Sequence, residues 1–285
     1  MAIESFKKKS SIKITNSYEC ILSLIATFDQ NSVYSHIQLE SQRFKRFFMT
    51  WEATKALYLN NRKFISVDGT FLSGPNKGTL LTAVAQDGKD QLVLLAFAIV
   101  ESENNSSWKY FLENLNEHFN INTSSTIIMS DRDSGLLSII EDVCPETVVC
   151  HCARHIYKNL KLKYRNNHLM NIYWNLVCES DGTLFDNNFA SLENTNETFY
   201  NDLVAIGVEK WANSKCPLPK YGKFTTNSAE SLNAAIKKFI TQDVTNLIIS
   251  LNNYVMKTFN ERRIEEHGNL IFFKKSLIEL NQILL

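Results

Sequence analysis

The sequence predicts an α/β fold, with strands and helices in the first part of the chain and an all-helical segment after it. Three β-type runs lie close together between residues 64 and 100, and a helix, a strand, a second helix and a fifth strand follow them. No convincing strand occurs between residues 153 and 220. Strands that alternate with helices are typical of α/β domains.

Residues 1–60 are predicted to form a helical N-terminal lead-in. The segments CILSLIATF and FKRFFMTWEATKAL have an apolar spacing that fits helices better than strands. The longest apolar run, Leu92 to Val100, is far shorter than the roughly 20 residues of a membrane span, and no secretory signal precedes it. We therefore expect an intracellular protein that does not cross a membrane.

Residues 61–165 are predicted to form the first part of the core. FISVDGTF, TLLTAVAQ and QLVLLAFAIV are three strands, and Asp87-Gly88 makes a tight hairpin connection between the last two. An amphipathic helix is predicted from Ser106 to Phe119, then the strand TIIMSD. Asp133 can cap a helix from Ser134 to Val143, and VVC is a short buried strand. The predicted order is β-β-β-α-β-α-β.

The remainder is predicted to be helical. Residues 166–220 form an all-helical insertion, residues 221–240 a helix that completes the core, and residues 241–285 a helical tail. The completing helix is predicted to begin at Thr226-Asn227-Ser228.

The 30 basic and 30 acidic side chains among 285 residues give no net charge. With 44% hydrophobic residues the chain is not a disordered one, and zero net charge argues mildly against a nucleic-acid partner. The charges are unevenly placed, however. Residues 147–178 contain five Lys or Arg, three His and no acid, whereas residues 179–209 contain seven acids and no base. A local basic stripe is sufficient to bind phosphate.

Two aspartates follow strands that should be neighbours in the sheet. Asp68 lies near the end of the first predicted strand, on the face opposite Ile65 and Val67, and Asp131 ends the fourth. Carboxylates at one sheet edge repel each other unless cations lie between them. Taken singly, each Asp is more typical of a turn or cap.

Glu230 is the third candidate acid. If Asn227 caps the helix, Glu230 occupies the third helical position, where a Glu commonly folds back onto the cap amide. The same helix places Glu230, Asn233 and Lys237 on one face, which offers a metal ligand and a basic contact to phosphate. The residues alone leave both interpretations open.

Cysteine and histidine are concentrated in Cys150-His151-Cys152-Ala153-Arg154-His155. Cys152 and His155 lie one helical turn apart, so a packing or hydrogen-bonded pair is favoured over a zinc site, for which no second ligand pair is apparent. A Cys/His hydrolase would also need an orienting residue and an oxyanion loop, which are not identified. The six unevenly spaced cysteines are interpreted as reduced thiols.

Together the runs FISVDGTF, IIMSDRDSG and CHCARH, followed by YGKFTTNSAESLNAAIKK, resemble the transposase domain of Mutator-like elements (MULE), across residues 45 to 240. The resemblance implies a ribonuclease-H-like α/β fold and a DDE triad that binds two divalent cations, Mg²⁺ or Mn²⁺. Matched position by position, the catalytic and metal-binding triad is Asp68, Asp131 and Glu230. Cys152 and His155 match the family's C-x-x-H motif.

The resemblance further implies DNA strand cleavage and transfer in the nucleus, with transposon ends and target DNA as partners and a homo-oligomer as a compatible assembly. In such a reaction one Mg²⁺ activates a water or a 3′-hydroxyl and the other stabilises the leaving oxygen. The residues expected to contact DNA are Arg132, Arg154, Lys158, Asn233 and Lys237.

Some features depart from the family's pattern. The stretch SGPNKG replaces a segment that is typically rich in Lys and Gly, and the zinc-binding modules that often flank the catalytic domain are missing between residues 1 and 60 and after it. We therefore also expect that the sequence is a truncated copy of such an element, or a host gene derived from such an element. The alternative function is a transposase-derived DNA-binding or transcription-regulatory protein without catalytic activity. A ribonuclease-H-like nuclease fits the C-x-x-H motif and the long helical insertion poorly.

Overall fold

A mixed seven-stranded sheet forms the centre of the protein. The computed structural model describes residues 19–28, 32–41 and 43–268. The strands are β1 (Val33–Glu40), β2 (Arg43–Trp51), β3 (Phe64–Phe71), β4 (Thr79–Gln86), β5 (Leu92–Val100), β6 (Ile127–Ser130) and β7 (Val148–His151). They lie in the order β1-β2-β5-β4-β3-β6-β7.

Helices flank the sheet and fill most of the chain after β7. They are α1 (Glu19–Ile25), α2 (Glu52–Asn60), α3 (Asn105–Phe119), α4 (Ser134–Val143), α5 (Ala153–Tyr164), α6 (Asn167–Cys178), α7 (Gly182–Thr195), α8 (Glu197–Ile206), α9 (Val208–Trp211), α10 (Asn227–Ile236) and α11 (Val244–Gly268). None of the helices in the described part of the chain is long and apolar enough to cross a membrane.

The direction of each strand follows from the length of its connection. β3, β4 and β5 pair antiparallel through short connections, and Asp87 shapes the turn before β5 because its Oδ1 accepts from the backbone N–H groups of Lys89 and Gln91 at 2.9 Å. β6 lies parallel to β3, and β7 parallel to β6, with α3 and α4 in the connections. Parallel neighbours need such helical crossovers. The predicted order β-β-β-α-β-α-β and the α/β class are confirmed.

Each face of the sheet carries its own apolar cluster. Ile65 and Val67 of β3 pack with side chains of α2, α3 and α4, whereas Leu80 and Val84 of β4 pack with α10 and α11. Strands covered on both faces are nearly continuous apolar runs, as β4 and β5 are. The helix α10 is therefore held against the sheet by its buried residues Leu232 and Ile236, which fixes the position of its polar face.

The expectation of a helical lead-in is wrong for residues 33–40 and 43–51, which form the antiparallel strand pair β1 and β2. Two parts of the predicted lead-in, α1 and α2, are helices as expected. Residues 1–18, 29–31 and 42 lie outside the described residues. Phe47 and Trp51 of β2 pack on one face of the sheet and Phe48 on the other. Because both faces are apolar, β2 lacks the alternation that identifies a strand, and its aromatic residues happen to match helical spacing.

The helices α5 to α9 pack around Trp211, which is fully buried. Its ring lies against Tyr173 and Phe185, and its Nε1 donates to the carbonyl oxygen of Leu203 at 3.2 Å. The limits of this unit as a separate insertion, residues 166–220, stay a prediction. The predicted tail begins with α11, and residues 269–285 lie outside the described residues.

The basic and acidic blocks of the sequence meet within these helices. Lys163 and Tyr164, from the basic block, both bond to Asp202 in the acidic block. Asp186 of the acidic block pairs with Lys215, which lies outside the basic block, at 2.7 Å. Part of the positive charge predicted for phosphate binding is therefore neutralised locally.

Replacement of Phe47 or Phe48 by alanine should test the two-sided burial of β2. Each substitution should lower the free energy of unfolding by about 3–5 kcal/mol, because each removes a fully buried ring from a different cluster. The control Lys45→Ala removes only a surface pair with Glu40 and should cost less than about 1 kcal/mol. Urea unfolding measures all three, and a small loss for either phenylalanine would contradict the strand assignment.

Candidate functional site

Asp68 and Asp131 occupy facing positions at one edge of the sheet. The parallel ladder pairs Ser66 of β3 with Met129 of β6. Asp68 follows Ser66 by two residues, and Asp131 follows Met129 by two residues. Neighbouring strands are only about 4.8 Å apart. The structure therefore brings together the two aspartates that the sequence singled out.

The environment of Asp68 disfavours its charge. The pKa of this carboxyl is raised to about 6, chiefly by burial and also by the nearby charges of Asp131 and Glu103. The backbone N–H of Gly69 and the amide of Asn233 act in the opposite direction, and Asn233 Nδ2 donates to Asp68 Oδ2 at 2.8 Å. A half-buried acid among like charges is a favourable place for a cation.

Glu103 is a site residue that the sequence interpretation missed. A methyl group at Gly69 would lie 2.8 Å from Oε2 of Glu103, so this carboxylate passes directly over the residue after Asp68. The pKa of Glu103 is raised by burial and then by the charge of Asp131. The sequence does contain a signal for Glu103. The strand β5 runs in the same direction as β3 and ends at the same edge of the sheet, and Glu103 follows the end of β5 by three residues.

Glu230 lies on α10 but does not close a capping box. The N-cap is Thr226 instead of the predicted Asn227, and no side chain caps the helix. The capping-box interpretation is therefore wrong. The Glu230 carboxylate instead lies 3.5 Å from Nη1 of Arg154, in the first turn of α5.

Cys152 anchors the start of α10 to the end of β7. Its buried Sγ accepts hydrogen bonds from the backbone N–H and the hydroxyl of Thr226, both at 3.3 Å. The next residue, Ala153, donates its N–H to the carbonyl oxygen of Phe224 at 2.8 Å. The hydrogen bonds of the Cys152 side chain go to Thr226 and not to His155, whereas packing of Cys152 against His155 stays a prediction. Nδ1 of His155 has no hydrogen-bond partner among the described residues.

The five residues expected to contact DNA have different surroundings. Asn233 is bonded to Asp68, and Arg154 is paired with Glu230. The other three are exposed cations that form no ion pair with another described residue: Arg132, Lys158 and Lys237.

The donor atoms at this edge suit a hard cation such as Mg²⁺. Asp68 and Asp131 offer carboxylate oxygens, and Oδ1 of Asn233 is buried without a hydrogen-bond partner in the described part of the chain. Such oxygens are the ligands that Mg²⁺ prefers. Across residues 19–28, 32–41 and 43–268, however, no three His, Cys, Asp or Glu side chains converge closely enough to hold a metal ion. The site thus contains a pair of carboxylate ligands and an amide oxygen, and Glu230 is paired with Arg154.

Comparison with known proteins relates this part of the chain to transposases. Residues 64–159 match the family model of the MULE transposase domain. The match begins with β3 and ends within α5, so it contains Asp68, Glu103 and Asp131 but not Glu230 or Asn233. No curated protein matches the chain.

Asp68→Asn should stabilise the metal-free protein at neutral pH. The carboxyl's pKa rises from 3.8 to about 6 on folding, so ionisation costs stability as pH rises from 3.8 and the full cost is present above about 6. After discounting for partial exposure, the gain at pH 7.5 should be about 2 kcal/mol, and at pH 4.5 less than half of that. Thermal unfolding in EDTA, with Glu193→Gln as the exposed control, measures it. An equal gain in stability at both pH values would show that ionisation of Asp68 does not destabilise the folded protein.

Proposed function

We propose that this chain is a DDE-type transposase of the Mutator-like class, which cleaves and joins DNA strands with two divalent cations, Mg²⁺ or Mn²⁺. The observation that supports this most is the facing pair Asp68 and Asp131 inside the segment that matches the MULE transposase domain. A sheet with an antiparallel part (β3, β4, β5) and a parallel part (β3, β6, β7) agrees with a ribonuclease-H-like fold, which belongs to the same proposal.

Asp68, Asp131 and Glu230 would hold the cations. Bound in pairs, such ions activate an attacking hydroxyl and stabilise the leaving oxygen in phosphodiester cleavage. The chain contributes the geometry: the β3–β6 ladder sets the spacing of the two aspartates, and α10 presents Glu230 from a separate element.

Asn233 would orient the first carboxylate. Its Nδ2 fixes one oxygen of Asp68, while the backbone N–H of Gly69 holds the same group from the strand. Second-sphere bonds of this kind fix the direction of metal ligands. The buried Oδ1 of Asn233 would then be free to accept a hydrogen bond from a water or from a hydroxyl of DNA.

Arg154 would act as an exchangeable partner of Glu230. Half of its side chain is in solvent, and an ion pair of 3.5 Å at this exposure contributes little to stability. Arg154 can therefore turn to a DNA phosphate, which it binds well, and release Glu230 for a cation. The exposed Arg132, Lys158 and Lys237 would add phosphate contacts, and a chromosomal DNA substrate would place the protein in the nucleus.

Loss of any one of the three acids should abolish cleavage but not DNA binding. We expect Asp68→Asn, Asp131→Asn and Glu230→Gln each to reduce Mg²⁺- or Mn²⁺-dependent nicking of supercoiled plasmid by about 1000-fold, because several kcal/mol of charge stabilisation is lost. Gel-shift affinity should change by less than about threefold. The matched control Glu193→Gln, on an exposed part of α7, should behave as the parent.

Two outcomes would contradict the proposal. A parent protein that binds DNA but does not nick it with either cation would favour the regulatory alternative. Nicking that persists in Asp68→Asn or in EDTA would show that the activity does not depend on this site.

Glu103→Gln tests the acid that the sequence interpretation missed. The charge of Glu103 lies beside Asp68 and Asp131, so we expect its loss to raise the Mg²⁺ concentration for half-maximal nicking about tenfold with the maximal rate nearly unchanged. Glu113→Gln, on the exposed side of α3, is the control. An unchanged Mg²⁺ requirement would remove Glu103 from the site.

A further inference from the structure

We propose that Cys150 and Cys216 form a redox-active dithiol, which a hydroperoxide such as H₂O₂ converts to a disulfide that joins β7 to the loop before α10. The two Sγ atoms are 3.6 Å apart in the structure, and both cysteines are free thiols. The proposal does not depend on the DNA chemistry described above.

The two thiols meet inside a small apolar cluster at the end of the sheet. Cys150 is fully buried with Phe64 and Met129, and Cys216 packs against this cluster from outside while remaining partly exposed. A disulfide is about 2.05 Å long, so the sulfurs must approach by about 1.5 Å. Cys150 is fixed in β7, whereas Cys216 belongs to an irregular loop, so the loop side can make this small movement.

The surroundings make Cys216 the attacking thiol. Its pKa is lowered, first by the hydrogen bond from the Cys150 thiol, and also by the backbone N–H of Leu218 and the charge of Lys220. The pKa of Cys150 is raised by the same hydrogen bond and by burial. Lys220 is itself buried, with its Nζ bonded to the carbonyl oxygen of Ala212 at 3.1 Å. A partly exposed thiol with a lowered pKa beside a second thiol is the arrangement of redox-sensing cysteines.

The reaction balances with one peroxide. The Cys216 thiolate attacks one oxygen of H₂O₂ and breaks the O–O bond, which gives a sulfenic acid and a hydroxide that takes up a proton as water. The sulfur of Cys150 then attacks the sulfenic sulfur and forms the S–S bond, and its proton leaves with the hydroxyl group as the second water. The two thiols lose two electrons, and the peroxide gains them.

The remaining cysteines provide internal controls. Cys178 is exposed, and the pKa of its thiol is raised by burial of part of the group. Cys144 is buried in the main core, with its pKa raised to about 12 by burial. Accessibility alone would therefore predict oxidation of Cys178, whereas the proposed dithiol predicts oxidation of Cys216.

Peptide mapping of the oxidised full-length protein tests the proposal. The protein is treated with a small excess of H₂O₂, blocked with N-ethylmaleimide and digested without reduction. We expect mass spectrometry to find Cys150 linked to Cys216 in most molecules and Cys178 alkylated, and fragment spectra to assign the linked sulfur to Cys150 rather than Cys144 or Cys152. Because the parent protein is used, the test does not depend on the folding of a variant.

Two variants separate the steps. In Cys150→Ser the sulfenic acid on Cys216 should persist and be trapped by dimedone, whereas Cys178→Ser should form the disulfide as the parent does. The proposal is overturned if Cys150 and Cys216 both remain alkylated at a peroxide dose that oxidises Cys178. It is equally overturned if Cys150→Ser shows no dimedone adduct on Cys216.

Discussion

The parallel pairing of β3 with β6 is the constraint on which the site depends. It places Asp68 beside Asp131, where burial and the charge of Asp131 disfavour the ionisation of Asp68. In the described part of the chain, the groups that donate hydrogen bonds to Asp68 are neutral: the side-chain amide of Asn233 and the backbone N–H of Gly69. Such donors hold a carboxylate in place without neutralising it. The negative charge therefore remains available to a cation from solution.

The helical segment after β7 is joined to the core where the chain leaves the sheet and where it returns. Ala153, at the start of α5, donates to Phe224, just before α10, so both ends of the segment lie within one hydrogen bond of each other. The bonds from Thr226 to Cys152 reinforce this closure. Segments whose ends meet in this way can vary in length without moving the core. The arrangement explains how α10 reaches the acid pair although the MULE match ends at residue 159.

Local sequence patterns predicted the strands β3 to β7 and the sheet edge that Asp68 and Asp131 share. The residues that define a strand and its end lie within a few positions of one another in the sequence. Contacts between distant segments could not be predicted. The partner of Cys152 is Thr226, 74 residues away, and the sequence interpretation chose the nearer His155. Strand β2 was missed because burial on both of its faces removes alternation, and Glu103 was missed because it lies three residues beyond the end of β5.

The hydrogen bond between Asn233 and Asp68 has a consequence for folding kinetics. It joins residues 165 positions apart, whereas the β3–β4 and β4–β5 pairings are local. Contacts that close long loops form slowly, so we expect α10 to dock after the sheet has assembled. Until then the sheet would expose the apolar face that Leu232 and Ile236 later cover, next to two unscreened carboxylates. The acid pair would thus be completed late in folding, and a divalent cation that screens the two carboxylates should favour the docking of α10.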